Sequence, residues 1–186
     1  MRGQRVGCGA QSYLRASRKA VGRQALLAVR VLCGLRGVGK TTYAKKFAAE
    51  NKLLYLGIDE FYAKVNGDEC IHENQFEVWI EFFKAIHEAE INNIDCIIDT
   101  NAITRCHRTQ FIEWFPTFEH HLIFIDCDVK LRYANNKSRR RVVPDEVMLK
   151  MSIDFEWLTF SEKASWNTIT MIRNENNNFI ELKKWR

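Results

Sequence analysis

One stretch of eight residues limits the possible folds more than any other feature of the chain. Residues 34–41 read Gly-Leu-Arg-Gly-Val-Gly-Lys-Thr and fit the pattern G-x-x-x-x-G-K-[ST]. An apolar run from Leu26 to Cys33 precedes it, and residues 42–50 follow it with the apolar spacing of a helix. Strand, glycine loop and helix are the context in which this pattern forms a phosphate-binding loop, or P-loop.

The residue types in this loop suit a nucleoside triphosphate and a divalent cation. Glycines at 34, 37 and 39 let successive backbone N–H groups point at phosphate oxygens. Lys40 is expected to reach the β- and γ-phosphates, and the Thr41 hydroxyl to ligate Mg²⁺. We therefore predict ATP and Mg²⁺ as cofactors. The expected nucleotide contacts are Gly34, Gly37, Val38, Gly39, Lys40, Thr41 and Thr42.

Composition indicates one ordinary globular domain. The chain has 186 residues, of which 46% are hydrophobic, and no apolar stretch approaches the roughly 18–20 residues that span a bilayer. The six cysteines show neither a C-x-x-C pair nor zinc-ligand spacing, so we expect reduced thiols and a cytoplasmic location. No membrane partner is expected.

The net positive charge is concentrated at the N-terminus. Residues 1–30 hold seven basic side chains and no acid, which more than accounts for the formal net charge of +5. The remainder is therefore not a generally basic, nucleic-acid-coating protein. We expect residues 1–25 to be a disordered basic extension and residues 26–186 to be the P-loop domain. An arm or an unnatural upstream extension is favoured, with an organelle transit peptide as the alternative.

Strands alternate with helices along the rest of the chain, which predicts an α/β fold. Strands are expected at 53–58, 96–98, 122–125 and 168–172, the last closing the sheet, and helices at 76–91, 105–115, 129–141 and from Pro144. This order predicts the P-loop NTPase three-layer sandwich, a parallel sheet between helices, with a helical lid. The aromatic residues Phe76, Trp79, Phe82, Phe83 and Trp114 are predicted to be in the core.

Three of the predicted strands end in an aspartate: Asp59, Asp99 and Asp126. Ligands of open α/β sheets bind at the carboxyl ends of the strands, so these acids should lie beside the P-loop. Asp59, on a strand expected next to that of the P-loop, is either a general base or a helix N-cap. Asp99 follows a buried strand, where an acid either holds Mg²⁺ or caps a turn.

A basic cluster follows the helix predicted at 129–141. Arg139, Arg140 and Arg141 come just before Val142-Val143-Pro144, which has the character of a hinge. Arginine matches the charge that develops on phosphoryl oxygens during transfer, so the cluster is either a catalytic lid or a solvated helix face.

These motifs, over residues 31 to about 155, resemble the 5′-polynucleotide kinase-like, AAA_33-type ATP-binding branch of the small P-loop kinases. The resemblance is carried by the P-loop, by Ile-Asp-Glu-Phe-Tyr at 58–62, by Ile-Ile-Asp-Thr-Asn at 97–101 and by Val-Pro-Asp-Glu-Val at 143–147. It implies that Asp59 is the base and that Arg139 or Arg140 contacts the donor phosphates. The implied acceptor-site candidates are Asp59, Tyr62, Lys64, Thr100, Asn101, Arg105 and Arg108.

The sequence departs from that family at one informative position. The family often has an arginine three residues after the catalytic aspartate, where this chain has Tyr62, with Lys64 close by. The resemblance implies an ATP-dependent phosphotransferase that moves the γ-phosphate to a hydroxyl acceptor, with the 5′-OH of DNA or RNA as one candidate. The alternatives are a toxin-type kinase of small metabolites or nucleotide sugars, and a regulatory ATP-binding module that is not a kinase.

Overall fold

The computed structural model describes residues 27–139 and 142–186. The strands are β1 Ala28–Cys33, β2 Leu54–Gly57, β3 Cys96–Asp99, β4 Glu119–Cys127, β5 Thr168–Glu175 and β6 Asn178–Trp185. They form one sheet in the order β2-β3-β1-β4-β5-β6. The first five are parallel to one another, and β6 pairs antiparallel with β5.

Seven helices accompany this sheet in the described residues. They are α1 Lys40–Asn51, α2 Ile58–Asn66, α3 Gln75–Ile91, α4 Arg105–Trp114, α5 Val129–Lys137, α6 Asp145–Ile153 and α7 Phe160–Lys163. Residues 34–39 connect β1 to α1, whereas α2 begins directly after Gly57, the last residue of β2. Both junctions lie at the carboxyl ends of the strands.

The two faces of the sheet carry separate cores. Val29 and Val31 of β1 belong to the core that includes Phe82 of α3, whereas Leu32 belongs to the core that includes Ala44 of α1. All of these side chains are fully buried or nearly so. The alternation follows the two-residue period of a strand, because successive side chains point to opposite faces. Helices on both faces give the predicted three-layer α/β sandwich of a P-loop NTPase.

The sheet differs from the sequence prediction in two respects. The strand expected to be last is followed by β6, an additional antiparallel edge strand that the sequence analysis missed. Most side chains of β6 are exposed, so the hydrophobic signal of a buried strand is weak there. In addition, β2 is not next to β1. Strand β3 lies between them, so Asp59 follows a strand one position farther from the P-loop than predicted.

Two helix predictions needed correction at their ends. The helix predicted over 129–141 ends at Lys137, so Arg139 follows it and does not lie on it. Pro144 is the N-cap of α6 and not its first helical residue. The predicted basic extension, residues 1–25, lies outside the described residues, as do Arg140 and Arg141.

The prediction of core aromatics is correct for some residues and wrong for others. Phe82 is fully buried, but Phe76 is 81% exposed and Trp114 is 55% exposed. Phe76 is in the first turn of α3. Its helical spacing matches that of the core residues, but the buried part of the helix begins only at Val78. Within 27–139 and 142–186, no helix is long and apolar enough to cross a membrane.

Candidate active site

The P-loop between β1 and α1 needs glycine for steric reasons as well as for backbone conformation. Gly37 and Gly39 have φ angles of 83° and 94°, in the left-handed region that favours glycine. A Cβ atom on Gly37 would overlap the backbone oxygen of Arg132 in α5, and one on Gly39 would lie 2.5 Å from Nδ2 of Asn174 in β5. The loop is therefore packed against two other elements at its two glycines.

Two asparagines that the sequence analysis missed hold the P-loop backbone. Asn135 of α5 donates from Nδ2 to the carbonyl oxygen of Gly37 at 2.8 Å. Asn174 of β5 donates from Nδ2 to the carbonyl oxygen of Val38, also at 2.8 Å, and is 1% exposed. Since buried amides are nearly always hydrogen-bonded, a buried asparagine at the carboxyl end of a strand could have indicated such a contact.

Lys40 occupies the centre of the loop. Its ammonium group donates to the carbonyl oxygens of Gly34 and Leu35, both at 2.9 Å. It is 8% exposed, and desolvation lowers its pKa to about 8, against the opposing attraction of Asp99. A triphosphate would offer this ammonium group stronger acceptors than the two carbonyls, so Lys40 is suited to bind phosphate.

Thr41 and Asp99 form the candidate metal site. Oγ1 of Thr41 donates to Oδ2 of Asp99 at 2.6 Å. Asp99 is 8% exposed, and burial raises its pKa although Lys40, Thr41 and Tyr55 each act to lower it. A hydroxyl and a carboxylate are hard oxygen ligands of the kind that Mg²⁺ takes, and a cation would offset the desolvation of the carboxylate. These residues therefore fit the predicted ion, and they would hold it against the nucleotide phosphates.

Asp59 lies in the same cavity as the P-loop. The cavity is lined by Arg36, Gly37, Gly39, Lys40, Thr41, Thr42, Ile58, Asp59, Asp99, Thr100, Asn101, Asn135, Ser138, Arg139 and Asn177. Asp59 is half-buried in the first turn of α2, whose N-cap is Gly57. The N-cap alternative for Asp59 is therefore wrong. Asp126, the third strand-end acid, is exposed and does not line this cavity.

The two residues after Asp99 also line the cavity. The Thr100 hydroxyl is buried and has no hydrogen-bond partner among the described residues. The backbone oxygen of Asn101 accepts from the backbone N–H of Gly34 at 3.2 Å, which joins this segment to the start of the P-loop. An unpartnered buried hydroxyl is uncommon in proteins, so the position of Thr100 is suited to bind a ligand.

Four of the acceptor-site candidates do not line the cavity. Tyr62 is buried, with its ring centroid 4.4 Å from that of His72. Lys64 is exposed and pairs with Glu81 at 3.3 Å. Arg105, also outside the cavity, is exposed. The fourth candidate, Arg108, is buried in the protein core.

Arg108 is fully buried and paired with Glu162 of α7, which is 1% exposed. Nε of Arg108 donates to Oε1 of Glu162 at 2.5 Å, and Nη2 donates to Oε2 at 3.0 Å. Nη1 donates to the carbonyl oxygens of Ala102 at 3.2 Å and Ile103 at 3.0 Å. All of these contacts are internal, so Arg108 supports the segment after β3 and is not accessible to an acceptor.

Residues 138–144, the segment predicted to act as a lid, follow the end of α5. Asn136 is fully buried, and its side chain donates to the carbonyl oxygen of Val143 at 2.7 Å and accepts from its N–H at 3.1 Å. These two bonds close the loop that carries Arg139. Arg139 is exposed, lines the cavity and acts to lower the pKa of Lys40, as does Arg36. Arg140, the other candidate, lies outside the described residues.

Solved structures share this fold. A sugar kinase from Janibacter sp. aligns with 18% identity and a TM-score of 0.59, over 79% of this chain and 85% of that one. A structure of the PezAT chromosomal toxin–antitoxin system of Streptococcus pneumoniae aligns with 13% identity and a TM-score of 0.54, over 96% and 82%. One of the Pnkp1/Rnl/Hen1 RNA repair complex aligns with 16% identity and a TM-score of 0.63, over 80% and 49%.

At these identities the structural likeness shows the fold alone, and a comparison with curated proteins found no match. A match to a family model identifies the family of the chain. The AAA_33 model, described as an AAA domain, matches residues 29–158, which include the P-loop, Asp59, Asp99 and Arg139. The chain therefore belongs to the AAA_33 family, with the P-loop and the three-layer sandwich of the P-loop NTPases.

Proposed function

We propose that this protein transfers the γ-phosphate of ATP to a hydroxyl group. The observation that carries the proposal is the position of Asp59, which lines the same cavity as Lys40, Thr41, Asp99 and Arg139. A site for nucleotide binding alone has no need of this half-buried carboxylate in addition to Asp99. A carboxylate in the phosphate-binding cavity is what a kinase needs to accept the proton of an attacking hydroxyl.

The donor side of the cavity would bind ATP. The Lys40 ammonium group would exchange its hydrogen bonds with the carbonyls of Gly34 and Leu35 for bonds with the β- and γ-phosphate oxygens. The N–H groups of the loop and the N-terminus of α1 would add positive potential. Thr41 and Asp99 would hold Mg²⁺, which supplies charge neutralisation at the phosphates when bound. Arg139 reaches the cavity from the lid and would bind oxygens of the transferred phosphoryl group.

The acceptor side would carry out the proton transfer. The acceptor oxygen attacks the γ-phosphorus, its proton moves to the carboxylate of Asp59, and the bond from the γ-phosphorus to the bridging oxygen of ADP breaks. Thr100 and Asn101 line the same cavity as Asp59, and the Thr100 hydroxyl, which has no described partner, would orient the acceptor. The products are ADP and a phosphate monoester.

The first acceptor to test is the 5′-OH of DNA or RNA. The Asp-Thr-Asn segment at 99–101 and the likeness to the RNA repair complex support it. A second candidate is a small polyhydroxylated metabolite. It is supported by the placement of the three predicted acceptor-site cations, Lys64, Arg105 and Arg108, outside the cavity, so none of these three lines it to bind an acceptor phosphate.

The test is a transfer assay with γ-labelled ATP and a panel of acceptors. The panel should contain 5′-OH DNA, 5′-OH RNA, nucleosides, nucleotide sugars and simple sugars, each with a matched acceptor that lacks the hydroxyl. Label should move to one acceptor class and not to its matched control, and Asp59→Asn should abolish most of it. ATP hydrolysis without transfer to any acceptor, at a rate that Asp59→Asn leaves unchanged, would favour a regulatory ATP-binding module instead.

A further inference from the structure

A tyrosine on the edge strand contacts the same carboxylate oxygen as the P-loop threonine. The hydroxyl of Tyr55, in β2, donates to Oδ2 of Asp99 at 3.1 Å, and Thr41 donates to that oxygen at 2.6 Å. Tyr55 belongs to none of the motifs found in the sequence. A tyrosine hydroxyl carries its proton at neutral pH, so Tyr55 can donate this hydrogen bond.

Gly57 makes room for this tyrosine. The backbone of Gly57 is extended, with φ −102° and ψ 123°, a conformation that any residue can adopt. A Cβ atom there would overlap the hydroxyl of Tyr55 and would lie 2.7 Å from Cζ of its ring. Glycine at position 57 is therefore required by the ring of Tyr55 and not by the backbone.

Neighbouring side chains hold the ring of Tyr55 in place. The ammonium group of Lys45 lies 5.0 Å from the ring centroid, and the same group donates to Oε1 of Glu60 at 2.9 Å. The ring also packs against the core on the α1 face of the sheet. The position of the hydroxyl is thus fixed by several contacts that do not involve Asp99.

We propose that Tyr55 is a positioning residue that orients the Asp99 carboxylate toward the cation bound with the nucleotide. Two hydroxyl donors converge on one oxygen, so a rotation of the carboxylate would break both hydrogen bonds. Groups that hold a metal ligand in this way are typically worth about 10–100-fold in metal affinity or activity. The inference rests on the proposed function only in assigning Asp99 to Mg²⁺.

The test compares ADP affinity with Mg²⁺ and with EDTA by calorimetry. In the wild type, Mg²⁺ should tighten ADP binding. In Tyr55→Phe this gain should shrink by about 10-fold, while the affinity in EDTA stays unchanged. Tyr43→Phe is the matched control, because its ring stacks on Phe47 with centroids 5.5 Å apart and does not contact Asp99.

Gly57→Ala supplies an independent second variant. It leaves the hydroxyl of Tyr55 in the protein but displaces the ring, so it should reproduce the loss seen in Tyr55→Phe. The double variant should lose no more than either single variant, because both remove the same hydrogen bond. If Gly57→Ala does not fold, Tyr55→Phe alone decides the question.

Two results would overturn the inference. One is an undiminished Mg²⁺ gain in Tyr55→Phe, which would make the hydroxyl irrelevant to the cation. The other is a larger gain, which would mean that the hydroxyl competes with the cation for Asp99. Because ADP binding needs no phosphoryl transfer, a protein that shows the expected loss but transfers phosphate to no acceptor would remove the proposed function and support this inference.

Discussion

The two halves of the cavity are built differently. On the donor side, Asn135 and Asn174 bond the carbonyls of the P-loop, and glycines fit against α5 and β5 with no space for a side chain. On the acceptor side, Asp59 is half-buried and the Thr100 hydroxyl is buried without a described partner. The proposed donor side is fixed by contacts within the protein, whereas the proposed acceptor side has polar groups that a substrate could satisfy. Preorganised groups stabilise developing charge most effectively, so the donor side should tolerate change least.

The largest effect expected on the proposed donor side is that of Lys40→Ala. Removing one preorganised charge from the phosphates should lower transfer by roughly 10²–10³-fold. The melting temperature should hold or rise, since burial already disfavours the charge of Lys40. The measurement is a turnover assay beside thermal unfolding. Near-normal turnover would show that the loop does not bind the transferred phosphate and would remove the contrast between the two halves.

Breaking the buried Arg108–Glu162 pair should lower the free energy of unfolding of the protein. Arg108→Ala leaves Glu162 buried without its partner, and breaking a buried pair from one side costs about 3–5 kcal/mol. Denaturant unfolding measures this loss. Lys150→Ala is the matched control, because its pair with Asp154 is exposed and should contribute less than about 1 kcal/mol.

Replacing both partners of the buried pair separates stability from function. Arg108→Met with Glu162→Met should recover most of the lost stability, because an apolar pair of similar volume avoids the buried charge. The carbonyls of Ala102 and Ile103 would still lose their donor, so the position of Asp99–Asn101 and the turnover should stay impaired. Full recovery of turnover in the double variant would refute a role for Arg108 in positioning this segment.

The smallest expected effect is a proton uptake on nucleotide binding. The pKa of Lys40 is lowered to about 8 by desolvation, so near pH 8 the amine is only partly charged. Bound phosphate favours the charged form and raises the pKa, so binding at pH 8 should take up about half a proton at Lys40. Calorimetry in two buffers of different ionisation enthalpy measures it, with Lys40→Met as the comparison. Equal uptake in both proteins would place the titrating group elsewhere.

The residues of the proposed donor side could be predicted from the sequence because they belong to a short continuous motif. Eight consecutive residues with a strand before and a helix after them specify the P-loop, and the Thr41–Asp99 contact follows from a buried strand that ends in an acid. Local patterns also located five of the six strands. Strand β6 was missed because most of its side chains are exposed, so its composition carries little hydrophobic signal.

The acceptor side depends on which segments meet, and spacing along the chain does not give this. Arg108 follows the Asp-Thr-Asn segment closely enough to suggest an acceptor contact, but Glu162, 54 residues later, holds it in the core. Tyr55 and Asn174 reach the site through the order of the strands, which the sequence analysis did not establish. Asp59 lines the same cavity as the P-loop, although its strand is separated from β1 by β3.

The central claim is that Asp59 takes the acceptor proton, and Asp59→Asn tests it most directly. The measurement is single-turnover transfer to the acceptor found in the panel, together with ATP affinity in the same variant. The amide keeps the shape of the side chain but cannot accept the proton, so transfer should fall by roughly 10²–10⁴-fold, with ATP affinity nearly unchanged. A parallel fall in transfer and ATP affinity would contradict the account, and would assign Asp59 to nucleotide or metal binding and leave Asp99 as the next candidate for the base.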